Sequence, residues 1–324
     1  MKIGKISESV LKRSVLKNIT AKSSEMENGA GVGSDCAIFS FADGFFFQAA
    51  QTFALSSADE IRYPIYRAVN SVAVSGAIPT AVSLAVLLPP DAEEAFLQET
   101  MRNADRAAKA LGIGIAGGHT EVTAAVTKAV VCATVIGRNG GSPLLPGKAA
   151  AGQDIVLSKW IGLEGTALLA KRHGDRLSAR YPLHMIEAAA AFDELLSVVP
   201  EAATAVKSNV SAMHDVSGGG IFAALWELAE SAGVGLAVDL KKIPIRQETV
   251  EVCEFFGISP YELLSGGCLL MTADSGEHLV QALEAEGIPA AVIGTITDNN
   301  DRVVINEEEK RFLERPGWDE INKI

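Results

Sequence analysis

Cysteine is sparse in this chain. Its 324 residues hold 4, at Cys36, Cys132, Cys253 and Cys268, and no two stand at the spacing of a metal-binding pair. Thiols scattered in this way read as reduced and intracellular. Positive charge is also short, with a net charge of −12, so no basic stripe is available to neutralise a nucleic-acid backbone. The densest basic group, Lys2, Lys5, Lys12, Arg13 and Lys17, reads as a solvated helix face. Long apolar runs are missing. The longest, residues 77–88, contains Pro79 and stops at Pro89 and Pro90, so it does not span a bilayer. The amino terminus has no apolar core of the length a signal peptide needs. Nucleic-acid and membrane partners are therefore not expected, and the chain reads as cytoplasmic.

Glycine, by contrast, is plentiful and clustered, with 30 in the chain. The sequence Met213-His214-Asp215-Val216-Ser217-Gly218-Gly219-Gly220 runs straight into a helical pattern that begins at Ile221. An acid and a hydroxyl before three glycines and a helix start form a phosphate-binding design in outline. Glycine lets backbone approach an anion, and a helix head supplies N–H groups and a positive dipole end. A second cluster, Ala116-Gly117-Gly118-His119-Thr120-Glu121, closes an apolar strand pattern in the other half and reads as a glycine turn.

The length suits two domains, and apolar residues at 48% suffice for two cores. In the first half, residues 44–50 and 81–88 read as strands. Pro64 opens a helix whose buried face is Ile65, Ala68, Val69, Val72 and Ala73. Asp91 with Glu94 suggests the start of a second helix, repeating Leu97, Met101, Ala104, Ala108 and Leu111. Residues 113–116 and 129–136 flank the glycine turn as strands, and the loop 137–152 is the best domain boundary. The second half restarts with a strand at 154–159 and continues through helices at 162–171 and 183–198. A helix after Gly220, a strand at 235–240 and a helix near 248–256 come next. Strands at 268–272 and 290–296 enclose a helix at 277–286. This is an α/β (α+β) chain of two halves, expected as domains 1–142 and 150–324.

Five segments in order resemble the aminoimidazole-ribotide (AIR) synthetase superfamily of ATP-binding proteins, and within it the hydrogenase-maturation carbamoyl dehydratases. They are Gly33-Ser34-Asp35-Cys36-Ala37-Ile38; residues 68–79 with Asn70, Ser71 and Gly76-Ala77-Ile78-Pro79; the cluster at Gly117; the cluster at Asp215; and Ile243-Pro244-Ile245-Arg246 followed by residues 264–269. The resemblance covers roughly residues 29–297. It implies an N-terminal sheet that forms an intersubunit barrel in a homodimer, and a C-terminal mixed sheet packed with helices. It also implies ATP, with chemistry that phosphorylates an oxygen to make it a leaving group. Carried over position by position, the nucleotide-binding residues are Asp35, Gln51, Asn70, Gly117, Gly118, His119, Thr120, Asp215, Gly218, Gly219 and Gly220. Asp35 and Asp215 are the implied metal ligands.

The chain departs from the family where magnesium binds. Mg²⁺ demands hard oxygen ligands and favours carboxylates. Gln51, Ser71 and His119 stand where the resemblance expects aspartates. Each lost charge removes several kcal/mol of gross attraction at an effective dielectric of about 20. Asp35 and Asp215, with Glu121, are left for a single ion, and a full magnesium cluster is not expected. His119 reads as a hydrogen-bonding or structural residue in preference to a ligand for Mn²⁺ or Zn²⁺, and His214 as a packed loop residue. The sequence ends Glu320-Ile321-Asn322-Lys323-Ile324, without the terminal cysteine that carries the carbamoyl group in the dehydratases. Cys36 lies too far along, beside Asp35, to serve as the reactive residue of the selenophosphate branch. It reads as a small buried filler. An ATP-dependent phosphotransfer or dehydration enzyme is one expectation, and a catalytically degenerate binding or assembly module is the other.

Overall fold

The computed structural model describes residues 7–21, 23–139 and 141–324, and Lys2 and Lys5 of the basic group lie outside them. Two compact units appear. One comprises residues 23–29 and 35–143, and the other collects 30–34 and 144–324 together with the described amino-terminal residues 7–21.

The first unit is built on a six-stranded sheet. Its strands are β1 (Met26–Asn28), β2 (Ala37–Phe41), β3 (Gly44–Ala54), β4 (Ile78–Leu88), β5 (Gly114–Val122) and β6 (Val130–Asn139). Their spatial order is β1-β2-β3-β6-β4-β5, antiparallel except for the β4–β5 pair. Alternation along each strand divides the sheet into two faces. Phe47 and Ala49, Val131, Ala133 and Val135, and Val82, Leu84 and Val86 are buried on one face. The helix Arg62–Ala73 packs there through Ile65, Ala68, Val69 and Val72, all fully buried, as the periodicity predicts. The opposite face carries cross-strand rows such as Ala50–Thr134–Ser83 and Thr52–Cys132–Ala85, with Ala50, Thr52, Ser83 and Ala85 exposed. The three consecutive phenylalanines divide accordingly. Phe47 is in the core, whereas Phe46 is half-buried and meets Phe39 with ring centroids 6.1 Å apart.

Two local expectations fail here. The helix Glu94–Ala110 starts with Glu93 at its N-cap and no side-chain cap bond, leaving Asp91 exposed in the preceding turn. The glycines at 117 and 118 form no turn, because β5 runs unbroken from Gly114 to Val122.

The second unit holds a seven-stranded sheet. Its strands are β7 (Asp154–Ser158), β8 (Ala212–Val216), β9 (Gly235–Asp239), β10 (Cys268–Ala273), β11 (Ala290–Thr297), β12 (Arg302–Asn306) and β13 (Glu309–Phe312). The order is β13-β12-β9-β11-β7-β10-β8, with β9–β12 as its parallel pair. Strands β7, β8 and β10 are buried on both faces, as a sheet covered on both sides requires, and β7 and β10 are largely apolar runs. The main core joins Ile155, Leu157, Ala212, Val216 and Leu270 to Ile221, Leu225 and Leu228 of the helix Gly220–Ala232. The expected helix 183–198 stops as an α-helix at Ala190, and a 3₁₀ turn over Ala191–Leu195 leads into a separate helix, Val199–Lys207. Pro200 lies in the first turn of that second helix, where its missing N–H costs no helical bond.

Candidate functional site

In the second unit, the edge strand β8 delivers the Asp215 motif. Ala212, His214 and Val216 face the helix Gly220–Ala232. His214 is 2% exposed, and its Nε2 lies 3.2 Å from Oε2 of Glu227 on that helix. It is packed as expected, but in a strand instead of a loop. Asp215 is buried at the neighbouring position, opposite Leu269 of β10. It lies within the strand, so it does not cap the following helix.

The cap comes from a residue that local patterns did not reveal. The Gly219 N–H donates to Asp319 Oδ2 at 2.7 Å, and the other oxygen accepts from Leu264 N–H at 3.2 Å and Ile321 N–H at 3.0 Å. Asp319, which no sequence motif singled out, also caps the short terminal turn Glu320–Lys323. Other donors around the turn are taken by backbone. Gly220 N–H bonds the Ser217 carbonyl at 3.1 Å, and Phe222 N–H bonds that of Tyr261 at 3.2 Å. Gly220 itself is required by packing. At φ +65°, a Cβ there would fall 2.5 Å from the Tyr261 carbonyl oxygen and 2.7 Å from that of Leu263.

In the first unit, β5 is the edge strand, and residues 116–122 are exposed throughout. Gly118 is fixed by close packing, since a Cβ would lie 1.8 Å from the Leu84 carbonyl oxygen. A Cβ on Gly117 would meet nothing within 4 Å. His119 and Glu121 pair in solvent at 3.2 Å, and Thr120 is exposed. Asn70 is buried in the helix Arg62–Ala73, and Asp35 is half-buried.

The three positions that replace expected aspartates do not share one face of this unit. Gln51 follows Phe47 and Ala49 on the helix-covered side. Ser71 is buried and donates its hydroxyl to the Arg67 carbonyl at 3.0 Å. His119 registers with Ala85 on the open face. Among the described residues, no three His, Cys, Asp or Glu side chains group as a metal site. The residues present therefore do not fit a magnesium cluster within one unit, and no chemical step is derived through that ion.

Three of the four thiols, Cys36, Cys253 and Cys268, are buried. Cys36 is buried against Ser75 at 3.0 Å, and burial pushes its pKa up to about 12, with Asp35 a smaller contributor. Burial also raises Cys253 to about 12 and shifts Cys268 upward. A thiol held protonated is a poor nucleophile.

One glycine motif lies on the edge strand β5 and the other just after the edge strand β8, and comparison with known proteins assigns the family. Residues 63–139 match the N-terminal domain of AIR synthase related protein, and residues 150–306 match its C-terminal domain. The chain belongs to the AIR synthase related family. A Methanocaldococcus jannaschii protein named for hydrogenase expression/formation is 25% identical over 337 residues, covering 99% of this chain and 97% of its own. Carbamoyl dehydratase HypE of Rhodobacter capsulatus is 31% identical over 234 residues, 70% of this chain and 66% of the relative. Solved structures share the fold. A HypE in complex with ATP superposes with a TM-score of 0.73 at 19% identity, covering 99% of this chain and 97% of that one. A ThiL complexed with AMPPCP and TMP gives 0.76 at 18%, covering 98% of each. Among the described residues, no helix is long and apolar enough to cross a membrane.

Proposed function

We propose that this chain is a cytoplasmic ATP-binding protein that works as a homodimer, with residues 1–142 as its dimerising, nucleotide-binding domain and 150–324 as its second domain. The observation that carries the nucleotide reading is the Gly219 N–H, which already holds a carboxylate oxygen at 2.7 Å at the head of a 13-residue helix. The turn is thus a working oxyanion donor, and phosphate oxygens make the same demand. The relatives solved with ATP and with AMPPCP support the choice of ligand. Gly218, Gly219 and Gly220 would hold phosphate in one unit, and Gly117, Gly118 and Thr120 in the other. Asp35, Gln51, Asn70, His119 and Asp215 complete the set. If the protein turns ATP over, the reaction is phosphotransfer to an oxygen or a dehydration. The exposed rows of small side chains on the first sheet support the homodimer, because a second copy of that face would close a barrel.

One observation favours a second reading, a catalytically degenerate homologue that acts as a binding or assembly module. Gln51 and His119 lie on opposite sides of the sheet, and Ser71 uses its hydroxyl within its own helix. Titration calorimetry with ATP, with and without Mg²⁺ or Mn²⁺, tests both. Binding that strengthens with metal and is followed by ADP release supports the enzyme. Metal-indifferent binding without turnover supports the module. Absence of ATP binding in every condition overturns the nucleotide reading.

A further inference from the structure

We propose that residues 313–324 form an internal latch, in which the Asp319 carboxylate occupies the oxyanion seat at Gly219 and a phosphate group enters by displacing it. The inference rests on the reading of the glycine turn as a phosphate seat.

Three N–H groups converge on this carboxylate. Two belong to the body of the unit, Gly219 at 2.7 Å and Leu264 at 3.2 Å, and one to the segment itself, Ile321 at 3.0 Å. The seat stands at the positive end of the helix Gly220–Ala232, where an anion is favoured. A carboxylate and a phosphate place oxygens alike on such donors, so the two compete for one position.

The segment is buried near its ends and largely exposed along its middle, where Arg315 lies 5.9 Å from the Trp226 ring centroid. Leu313 is buried in the main core at one end. Near the other, Glu320 accepts from Ser259 N–H at 3.3 Å, and its own N–H donates to the Glu262 carbonyl at 3.3 Å. Between these anchors the chain bridges a cavity of about 350 Å³, lined by Phe222, Glu262, Arg311, Arg315 and Trp318 among others. Trp318, next to Asp319, is 37% exposed. Releasing Asp319 breaks its polar contacts, while Leu313 in the main core and Ile321 packed against a second core cluster keep the two ends in place. A tethered carboxylate also acts at an effective concentration on the order of millimolar. It lowers the apparent phosphate affinity by the fraction of molecules in which the seat is filled.

The test compares wild type, Asp319→Asn and Asp319→Ala. Calorimetry gives the affinity for ATP and for inorganic pyrophosphate, and hydrogen–deuterium exchange follows residues 313–324. Removing the carboxylate is expected to tighten both ligands about tenfold, with Asp319→Asn between the two because its amide oxygen still accepts. ATP is expected to raise exchange across 313–324 in wild type, and Asp319→Ala to raise it without ligand. If all three proteins bind ATP equally and exchange does not change, the latch is overturned while the nucleotide reading stands. Weaker binding by Asp319→Ala overturns it as well, and melting curves with Asp319→Asn as reference separate that result from misfolding. If none of the three binds either ligand, the seat is no phosphate site and both readings fall.

Discussion

The two glycine motifs look alike as strings and are opposites as structures. Each lies on or beside an edge strand of its sheet, one on β5 and one just after β8. Residues 116–122 of β5 are exposed, whereas all five residues of β8 are buried. On β5, Gly118 lets one strand approach another, and the acid of the motif, Glu121, sits in solvent beside His119. After β8, Gly220 lets a helix head approach the 261–263 segment, and the acid, Asp215, is in the interior. Two glycines and an acid therefore do not define a phosphate site. What distinguishes the second motif is that its Gly219 N–H leaves its own helix and strand to hold an anion supplied from elsewhere in the chain.

The largest effect is expected from the two glycines fixed by close approach. Gly118→Ala and Gly220→Ala each force backbone apart and should cost about 3 kcal/mol or more. This would lower Tm by roughly 10 °C in a scanning experiment. Gly218→Ala serves as the control, since its nearest neighbour would be Asp319 Oδ2 at 3.9 Å and no strained φ is involved. Equal losses at all three positions would erase the distinction between glycines fixed by close approach and one with open space around it.

A second contrast lies between ion pairs. Lys159 is buried at the end of β7 and donates to the Leu195 and Ser197 carbonyls at 2.8 and 2.7 Å, with Glu201 at 2.6 Å. Lys159→Met strands a buried carboxylate and should cost about 3 kcal/mol in urea unfolding. His119→Ala on β5 removes an exposed pair and should stay within about 0.5 kcal/mol. A large loss at His119 would mean that the open face is covered in solution, and would strengthen the homodimer proposal.

A further effect, smaller than the loss at Lys159, is a pH dependence in the second unit. Hydrogen bonds from Lys12 and then Arg302 hold the Glu230 carboxyl well below its ordinary 4.5, at about 2. A lowered folded pKa contributes stability that is complete above pH 4.5 and is lost as pH falls toward 2. Glu230→Gln should therefore be about 1 kcal/mol less stable than wild type near neutral pH, with the gap closing in acid. A gap that is constant with pH would mean the network contributes packing rather than charge.

Much of the fold is legible in the sequence, for reasons particular residues make plain. The helix Arg62–Ala73 announces itself because Ile65, Ala68, Val69, Val72 and Ala73 fall on one face and all are buried. Strands β7 and β10 stand out as apolar runs. The short, exposed or polar strands β1, β2, β12 and β13 carry little periodic signal and escaped detection. Glycine misleads at β5, where a residue that usually punctuates chains permits strand contact instead. For the candidate site, the motif around Asp215 was legible and its connections were not. Asp319 lies 100 residues from Gly219 in sequence, and no local pattern links a near-terminal acid to a distant turn.

The central claim is that the Gly219 turn is an oxyanion seat which a nucleotide phosphate takes over from Asp319. A crystal structure of the protein soaked with a non-hydrolysable ATP analogue tests this most directly. A phosphate oxygen is expected within hydrogen-bonding distance of the Gly219 nitrogen, with Asp319 withdrawn from it. A nucleotide bound in order elsewhere, with Asp319 Oδ2 still 2.7 Å from Gly219, would contradict it.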